Sequence, residues 1–131
     1  MTKQVLVTGG MGFIGSHFIR RSLTCHPDWK IVCLDKLSYA GNLQNLKDIS
    51  GNERYQFIRG DVTDEALVHE AVSHAQIVVH FASETHVDRS IDCSGDFIHT
   101  NVHDTRVMLD APRIYRPVMF LYISTDEVYC S

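Results

Sequence analysis

The stretch Gln4-Val-Leu-Val-Thr-Gly-Gly-Met-Gly-Phe-Ile-Gly-Ser-His17 decides the fold. Gln4–Thr8 is a short β-rich run that breaks off into glycines. Residues 13–24 then place Phe13, Ile14, Phe18, Ile19 and Leu23 at helical spacing, with Arg20 and Arg21 outward. Working outward, Lys30–Leu34 is a second apolar strand that ends at Asp35. Leu43, Leu46 and Ile49 predict a short helix closed by Gly51, and Tyr55–Ile58 a third strand. Asp64 suits the N-cap of a helix carrying Ala66, Leu67, Ala71 and Val72. Gln76–Phe81 is almost continuously apolar, as buried parallel strands are. A long helix is then expected from Ser94 to Tyr115, with Phe97, Val102, Val107, Met108 and Ala111 inward. Pro112 should kink or end it, since proline inside a helix costs ~3 kcal/mol. Val118–Ser124 is the fifth strand. This alternation implies an α/β fold, a doubly wound parallel sheet of order 3-2-1-4-5 with helices on both faces.

Composition narrows the classes. The chain has 131 residues, 44% hydrophobic and 21% charged, which is the make-up of one globular domain rather than a disordered segment. No apolar run approaches the ~18 residues that cross a bilayer, and the first residues enter a strand instead of a leader sequence. Twelve Lys and Arg against sixteen Asp and Glu give a net charge of −4, which weighs against nucleic acid as a partner. Cys25, Cys33, Cys93 and Cys130 are scattered, without a CxxC pair, and the eight histidines form no HExxH. The expectation is therefore reduced thiols, no metal and a cytoplasmic location.

Two overlapping patterns occupy the glycine turn: GxGxxG from Gly10, and GxxGxxG from Gly9 through Gly12 to Gly15. An acidic residue, Asp35, ends the second strand twenty positions after Gly15. Glycines let the backbone approach a pyrophosphate, and the helix N-terminus offers free N–H groups and a positive dipole end. Asp35 would accept from both ribose hydroxyls and repel a 2′-phosphate, favouring NAD over NADP, with Lys36 partly offsetting that preference. A purely structural turn with an acidic loop residue is the alternative. Asp61, after the third strand, could accept from an adenine amino group or cap the next helix.

Ligands in open α/β sheets sit beyond the carboxyl ends of the strands. Polar runs 82–90 and 124–129 follow strands four and five there. Asp126 and Glu127 are adjacent carboxylates; held near a ligand, their pKa values separate, so that one can act as acid and the other as base. Helix capping would use the same residues. His86 and Arg89 suit either a loop network or a diphosphate.

Four segments carry a resemblance: Thr8-Gly-Gly-Met-Gly-Phe-Ile-Gly-Ser-His17, Leu34-Asp-Lys-Leu-Ser-Tyr-Ala-Gly-Asn42, His80-Phe-Ala-Ser-Glu-Thr-His-Val-Asp-Arg-Ser-Ile91 and Ser124-Thr-Asp-Glu-Val-Tyr129. Together they resemble the dTDP-glucose 4,6-dehydratases of the extended short-chain dehydrogenase/reductase group. The resemblance implies a Rossmann-like NAD-binding domain spanning 1–131. NAD contacts would come from Phe13 and Ile14 beside the glycines, from Asp35, Lys36, Leu37 and Ser38, and from Asp61 and Val62. Phe81, Ala82, Ser83, Glu84, Thr85 and Thr100 would add more. Thr85 and Thr125 would touch the sugar, Asp126 would protonate the departing C6 hydroxyl, and Glu127 would take the C5 proton. Hydride leaves C4 in such enzymes, water is lost, and hydride returns to C6, giving a 4-keto-6-deoxy sugar.

The chain departs from the family in several places. The family's Tyr-x-x-x-Lys is not found among the 131 residues. Ser83 stands where the family has alanine, Asp104 and Cys130 where it has glycine, and Pro112 where it has a helix-compatible residue. Set beside the family, the missing Tyr-x-x-x-Lys implies a chain that stops after the fifth strand, lacks the C-terminal substrate domain and turns over little or nothing. The resemblance implies homodimers for full-length members, and this chain is expected either to aggregate or to self-associate through strand five. The alternatives are another extended short-chain enzyme, such as a UDP-sugar 4,6-dehydratase or 4-epimerase, or a non-catalytic NAD-binding module. An epimerase needs no adjacent acid–base pair at 126 and 127.

Overall fold

Alternate residues of the strands point to opposite faces, and that period sorts the core into two layers. In the computed structural model, which describes residues 2–37, 43–81 and 103–123, the elements are β1 (Lys3–Thr8), α1 (Phe13–Cys25), β2 (Trp29–Asp35), a 3₁₀ segment (Leu43–Ile49), β3 (Tyr55–Arg59), α2 (Glu65–Ser73), β4 (Ile77–His80), α3 (Asp104–Tyr115) and β5 (Met119–Tyr122). The sheet is parallel throughout, in the order β3-β2-β1-β4-β5, as the alternation predicts. Val5, Val7, Ile31, Cys33, Ile77 and Val79 face α1 and the 3₁₀ segment, packing with Ile19, Leu23 and Leu46. Leu6, Val32, Leu34 and Val78 face the other way, against Val68, Ala71 and Val72 of α2 and Val107, Met108 and Ala111 of α3. Both faces of the central strands are covered, so these strands read as continuous apolar runs.

Several expectations need correction. Phe13 and Ile14 are 76% and 65% exposed rather than inward, because they occupy the first turn of α1, beyond the strand ends. Arg20 does not simply point to solvent: it pairs with Asp48 at 2.8 Å and donates to the Asn45 carbonyl. Ala66 is exposed and Val68 takes the buried place in α2. Leu43–Ile49 is 3₁₀ and kinked at Leu46.

Pro112 lies inside α3, and the helix continues past it to Tyr115. Val107, Met108 and Ala111 before the proline are buried, whereas Arg113, Ile114 and Tyr115 after it are exposed, so packing anchors the helix up to Pro112 and only its final residues lie beyond. It ends at Arg116, left-handed at φ 51°, whose N–H bonds the Pro112 carbonyl at 2.8 Å. The expected first part of that helix, 94–102, lies outside the described residues. Among the described residues β5 stands at an edge of the sheet, with Met119, Leu121 and Tyr122 exposed, and Val118 before it is 86% exposed.

Candidate functional site

β1 delivers the chain into the turn at the sheet's centre. The exit residue of four strands donates to the end of a neighbouring strand: Gly60 to the Asp35 carbonyl (3.2 Å), Gly9 to Leu34 (2.9 Å), Phe81 to Thr8 (3.0 Å) and Ile123 to His80 (3.1 Å). These bonds form a rim along the carboxyl ends of the strands, where ligands of such sheets bind.

Gly9 has φ 71°, a conformation that glycine adopts without strain. The turn closes by Gly12 N–H on the Gly9 carbonyl at 3.2 Å, and α1 starts at once, Ser16 N–H bonding the Gly12 carbonyl at 3.0 Å. A Cβ on Gly15 would sit 2.4 Å from the Gly9 carbonyl oxygen, and one on Gly10 would sit 2.5 Å from the Cys33 sulfur. Helix and turn therefore approach closer than any side chain allows. Gly12 caps α1 without a side-chain bond, and the first turn holds no acidic residue. The positive end of the helix is thus open to an anion. Exposed Phe13 and Ile14 flank it as an uncovered apolar shelf.

Asp35 is buried opposite the turn. Its Oδ2 accepts from Met11 N–H at 2.9 Å and its Oδ1 from Leu37 N–H at 2.8 Å. A carboxylate has about four lone-pair positions, so two remain after these bonds, enough for two hydroxyl donors. The sequence reading missed the first role: Asp35 holds the glycine turn as well as facing a ligand. It also missed Asn45, whose Nδ2 donates to the Met11 carbonyl at 2.7 Å. A polar residue ten positions after Asp35 in a non-repeating segment carries no signal of that contact.

The remaining predicted residues fall into three groups. Gly9, Gly12, Phe13, Ile14, Gly15, Asp35, Lys36 and Leu37 gather at the turn, with Leu37 left-handed at φ 58°. Asp61, Val62 and Phe81 lie at the exits of β3 and β4. Asp61 does not cap α2: its Oδ1 accepts from Thr63 N–H at 2.9 Å, while Asp64 accepts from Leu67 N–H at 3.2 Å and forms the cap. Val62 is buried in the α2 layer, and Phe81 packs against Phe18 with ring centroids 5.5 Å apart. Ser38, Ala82, Ser83, Glu84, Thr85, Thr100, Thr125, Asp126 and Glu127 lie outside the described residues.

Two buried titratable groups border the site. His80 ends β4, its Nδ1 lying 2.5 Å from Thr8 Oγ1; burial pushes its pKa down to about 4, so the ring is neutral. The Cys33 thiol is pushed up to about 12, first by burial and then by the Asp35 charge. Tyr55 rises above its ordinary value, again chiefly by burial. Among the described residues no group of three or more His, Cys, Asp or Glu is placed to hold a metal ion, and no helix is long and apolar enough to cross a membrane.

Known proteins share this fold. The dTDP-glucose 4,6-dehydratase of Actinoplanes sp. is 46% identical over 133 residues, covering 98% of this chain and 42% of the relative. The human dTDP-D-glucose 4,6-dehydratase is 44% identical over 129 residues, covering 97% and 37%. The crystal structure of the dTDP-glucose 4,6-dehydratase of Streptomyces venezuelae, solved with NAD bound, superimposes with a TM-score of 0.91 at 42% identity, over 98% of this chain and 41% of that one. The chain thus spans about 40% of the length of these relatives. The family model described as GDP-mannose 4,6 dehydratase matches residues 6–131. On that match, which covers nearly the whole chain, the chain belongs to the GDP-mannose 4,6 dehydratase family.

Proposed function

We propose that this chain binds NAD at the rim of its sheet and forms the dinucleotide-binding part of a sugar-nucleotide 4,6-dehydratase acting on dTDP-glucose. The observation that carries the reading is the pairing of an uncapped α1 N-terminus with the Asp35 carboxylate across the same glycine turn. The free N–H end would receive the pyrophosphate, and Phe13 and Ile14 would lose their exposure beneath the ligand. Asp35 would take the ribose hydroxyls on its remaining lone pairs. Burial of that carboxylate raises the cost of a 2′-phosphate beside it and sets the preference for NAD. The cofactor would supply a place for hydride to go and return from. Asp126 would hold the proton for the departing C6 hydroxyl, Glu127 would take the C5 proton, and Thr85 and Thr125 would orient the sugar. Ser38, Ala82, Ser83, Glu84 and Thr100 complete the proposed cofactor contacts. Location in the cytoplasm and self-association of the chain through β5 belong to the same proposal.

Calorimetry tests it: NAD binds more tightly than NADP, and the Asp35→Ala variant loses that preference. Equal affinity for the two dinucleotides would refute the cofactor reading. The 131-residue chain forms no 4-keto-6-deoxy product from dTDP-glucose, since the base for the C4 hydroxyl in this reaction is the tyrosine of Tyr-x-x-x-Lys. A product seen by mass change would refute that part.

A further inference from the structure

Met11 is the one non-glycine residue inside the turn, and side chains from outside hold both of its backbone polar groups. Asp35 takes its N–H at 2.9 Å and Asn45 binds its carbonyl at 2.7 Å, while its own side chain is buried. These two groups belong to consecutive peptide planes, Gly10–Met11 and Met11–Gly12. Glycines flank both planes, and glycine backbone rotates more freely than any other. In a planar trans peptide the carbonyl and N–H point in opposite directions. Asn45, drawing the Met11 carbonyl one way, therefore turns the Gly12 N–H the other way, toward the Gly9 carbonyl that closes the turn. The facing atom of the Asn45 amide must be nitrogen, because a carbonyl only accepts. Asn45 is itself held: Arg20 of α1 donates to its main-chain carbonyl and pairs with Asp48 in the same 3₁₀ segment. Turn, helix, segment and β2 form a closed ring of contacts around Met11.

We propose that Asn45 is a positioning residue of the dinucleotide site, which with Asp35 clamps the two peptide planes of Met11 and keeps the glycine turn in its pyrophosphate-accepting form. The inference rests on the dinucleotide reading above. Asn45→Asp is nearly isosteric but sets a carboxylate oxygen against the Met11 carbonyl, and Asn45→Ala simply deletes the donor. With the 131-residue chain, NAD affinity falls about tenfold or more in Asn45→Asp and about fivefold in Asn45→Ala, the range expected for one such bond. Adenosine, which lacks phosphate and relies on the Asp35 side of the site, keeps its affinity within about twofold by NMR titration. Unchanged NAD affinity, or an equal loss for adenosine, would overturn the proposal. Amide exchange without nucleotide separates the two readings: Gly12 N–H exchanges faster in both variants than in the parent chain. Unchanged exchange overturns the clamp whatever the chain binds. A parent chain that binds no NAD, with faster exchange in the variants, refutes the cofactor reading instead.

Discussion

Replacing Gly15 by alanine separates two opposing effects in one residue. Alanine is the better helix former by about 0.8–1 kcal/mol, and Gly15 lies within α1, so propensity alone predicts stabilisation. The structure predicts the reverse. A Cβ at this position would be 2.4 Å from the Gly9 carbonyl oxygen and 2.9 Å from the Gly10 Cα, where real Cβ contacts do not fall below 3.0 Å. Both obstacles are backbone, so helix and turn must part by at least 0.6 Å, the difference between 3.0 and 2.4 Å. Forced overpacking of this kind costs about 1–3 kcal/mol, and the separation also loosens the Gly12-to-Gly9 bond, worth about 1 kcal/mol. Net of the propensity gain, Gly15→Ala should destabilise the chain by about 1–3 kcal/mol. Gly51→Ala is the control, since a Cβ there meets nothing within 4 Å; it should be neutral or slightly stabilising. Urea unfolding of both variants beside the parent, followed by circular dichroism, reads the difference. A Gly15→Ala chain as stable as the Gly51→Ala chain would refute the close-approach reasoning.

Three further outcomes follow from described contacts. Asp35→Ala leaves the N–H groups of buried Met11 and half-buried Leu37 without their acceptor, and should cost about 2–4 kcal/mol in the same unfolding assay; a loss below about 0.5 kcal/mol would show the turn does not depend on that carboxylate. His80 has a folded pKa of about 4 against an ordinary 6.5, so the unfolded chain takes up its proton first as pH falls; stability should drop between about pH 6.5 and 4, by about 3 kcal/mol in total, and His80→Asn should flatten that slope. Native alkylation at pH 8 followed by peptide mass spectrometry should label exposed Cys25 and spare buried Cys33, whose thiol is held up near 12; equal labelling would contradict the burial of Cys33 beneath Gly10.

Strand identity was legible because Val5–Val7, Ile31–Leu34 and Ile77–Val79 are apolar on both faces, a pattern that only a doubly covered sheet makes useful. The glycine turn was legible for a similar reason: its spacing encodes a backbone approach that Gly15 and Gly10 then make. Legibility failed where tertiary contact overrode local pattern. Phe13 and Ile14 fit the apolar stripe of α1 but fall past the strand ends, where nothing in the sheet can cover them. Pro112 marks the end of α3 only to within its last turn, since the helix runs on to Tyr115. Asp64 does hold the cap its position predicts, and only Asp61, which spacing left open between a ligand contact and a cap, needed the structure to place it on Thr63 N–H. Asn45 acts across 34 positions, a separation that no periodicity reports.

The hydrogen bonds that tie Gly60, Gly9, Phe81 and Ile123 to neighbouring strand ends have a consequence for how such a chain can change. Each connecting segment starts from an amide anchored by the strand beside it, so its first atom keeps its place when residues further along are exchanged, lengthened or shortened. Chemistry can then be rewritten one connection at a time, with the sheet acting as a fixed socket for interchangeable parts. A segment transplanted from a relative should work when the splice lies after the anchored amide. It should fail when the residue at the anchor becomes proline, which has no backbone N–H and so removes the bond that aims everything downstream.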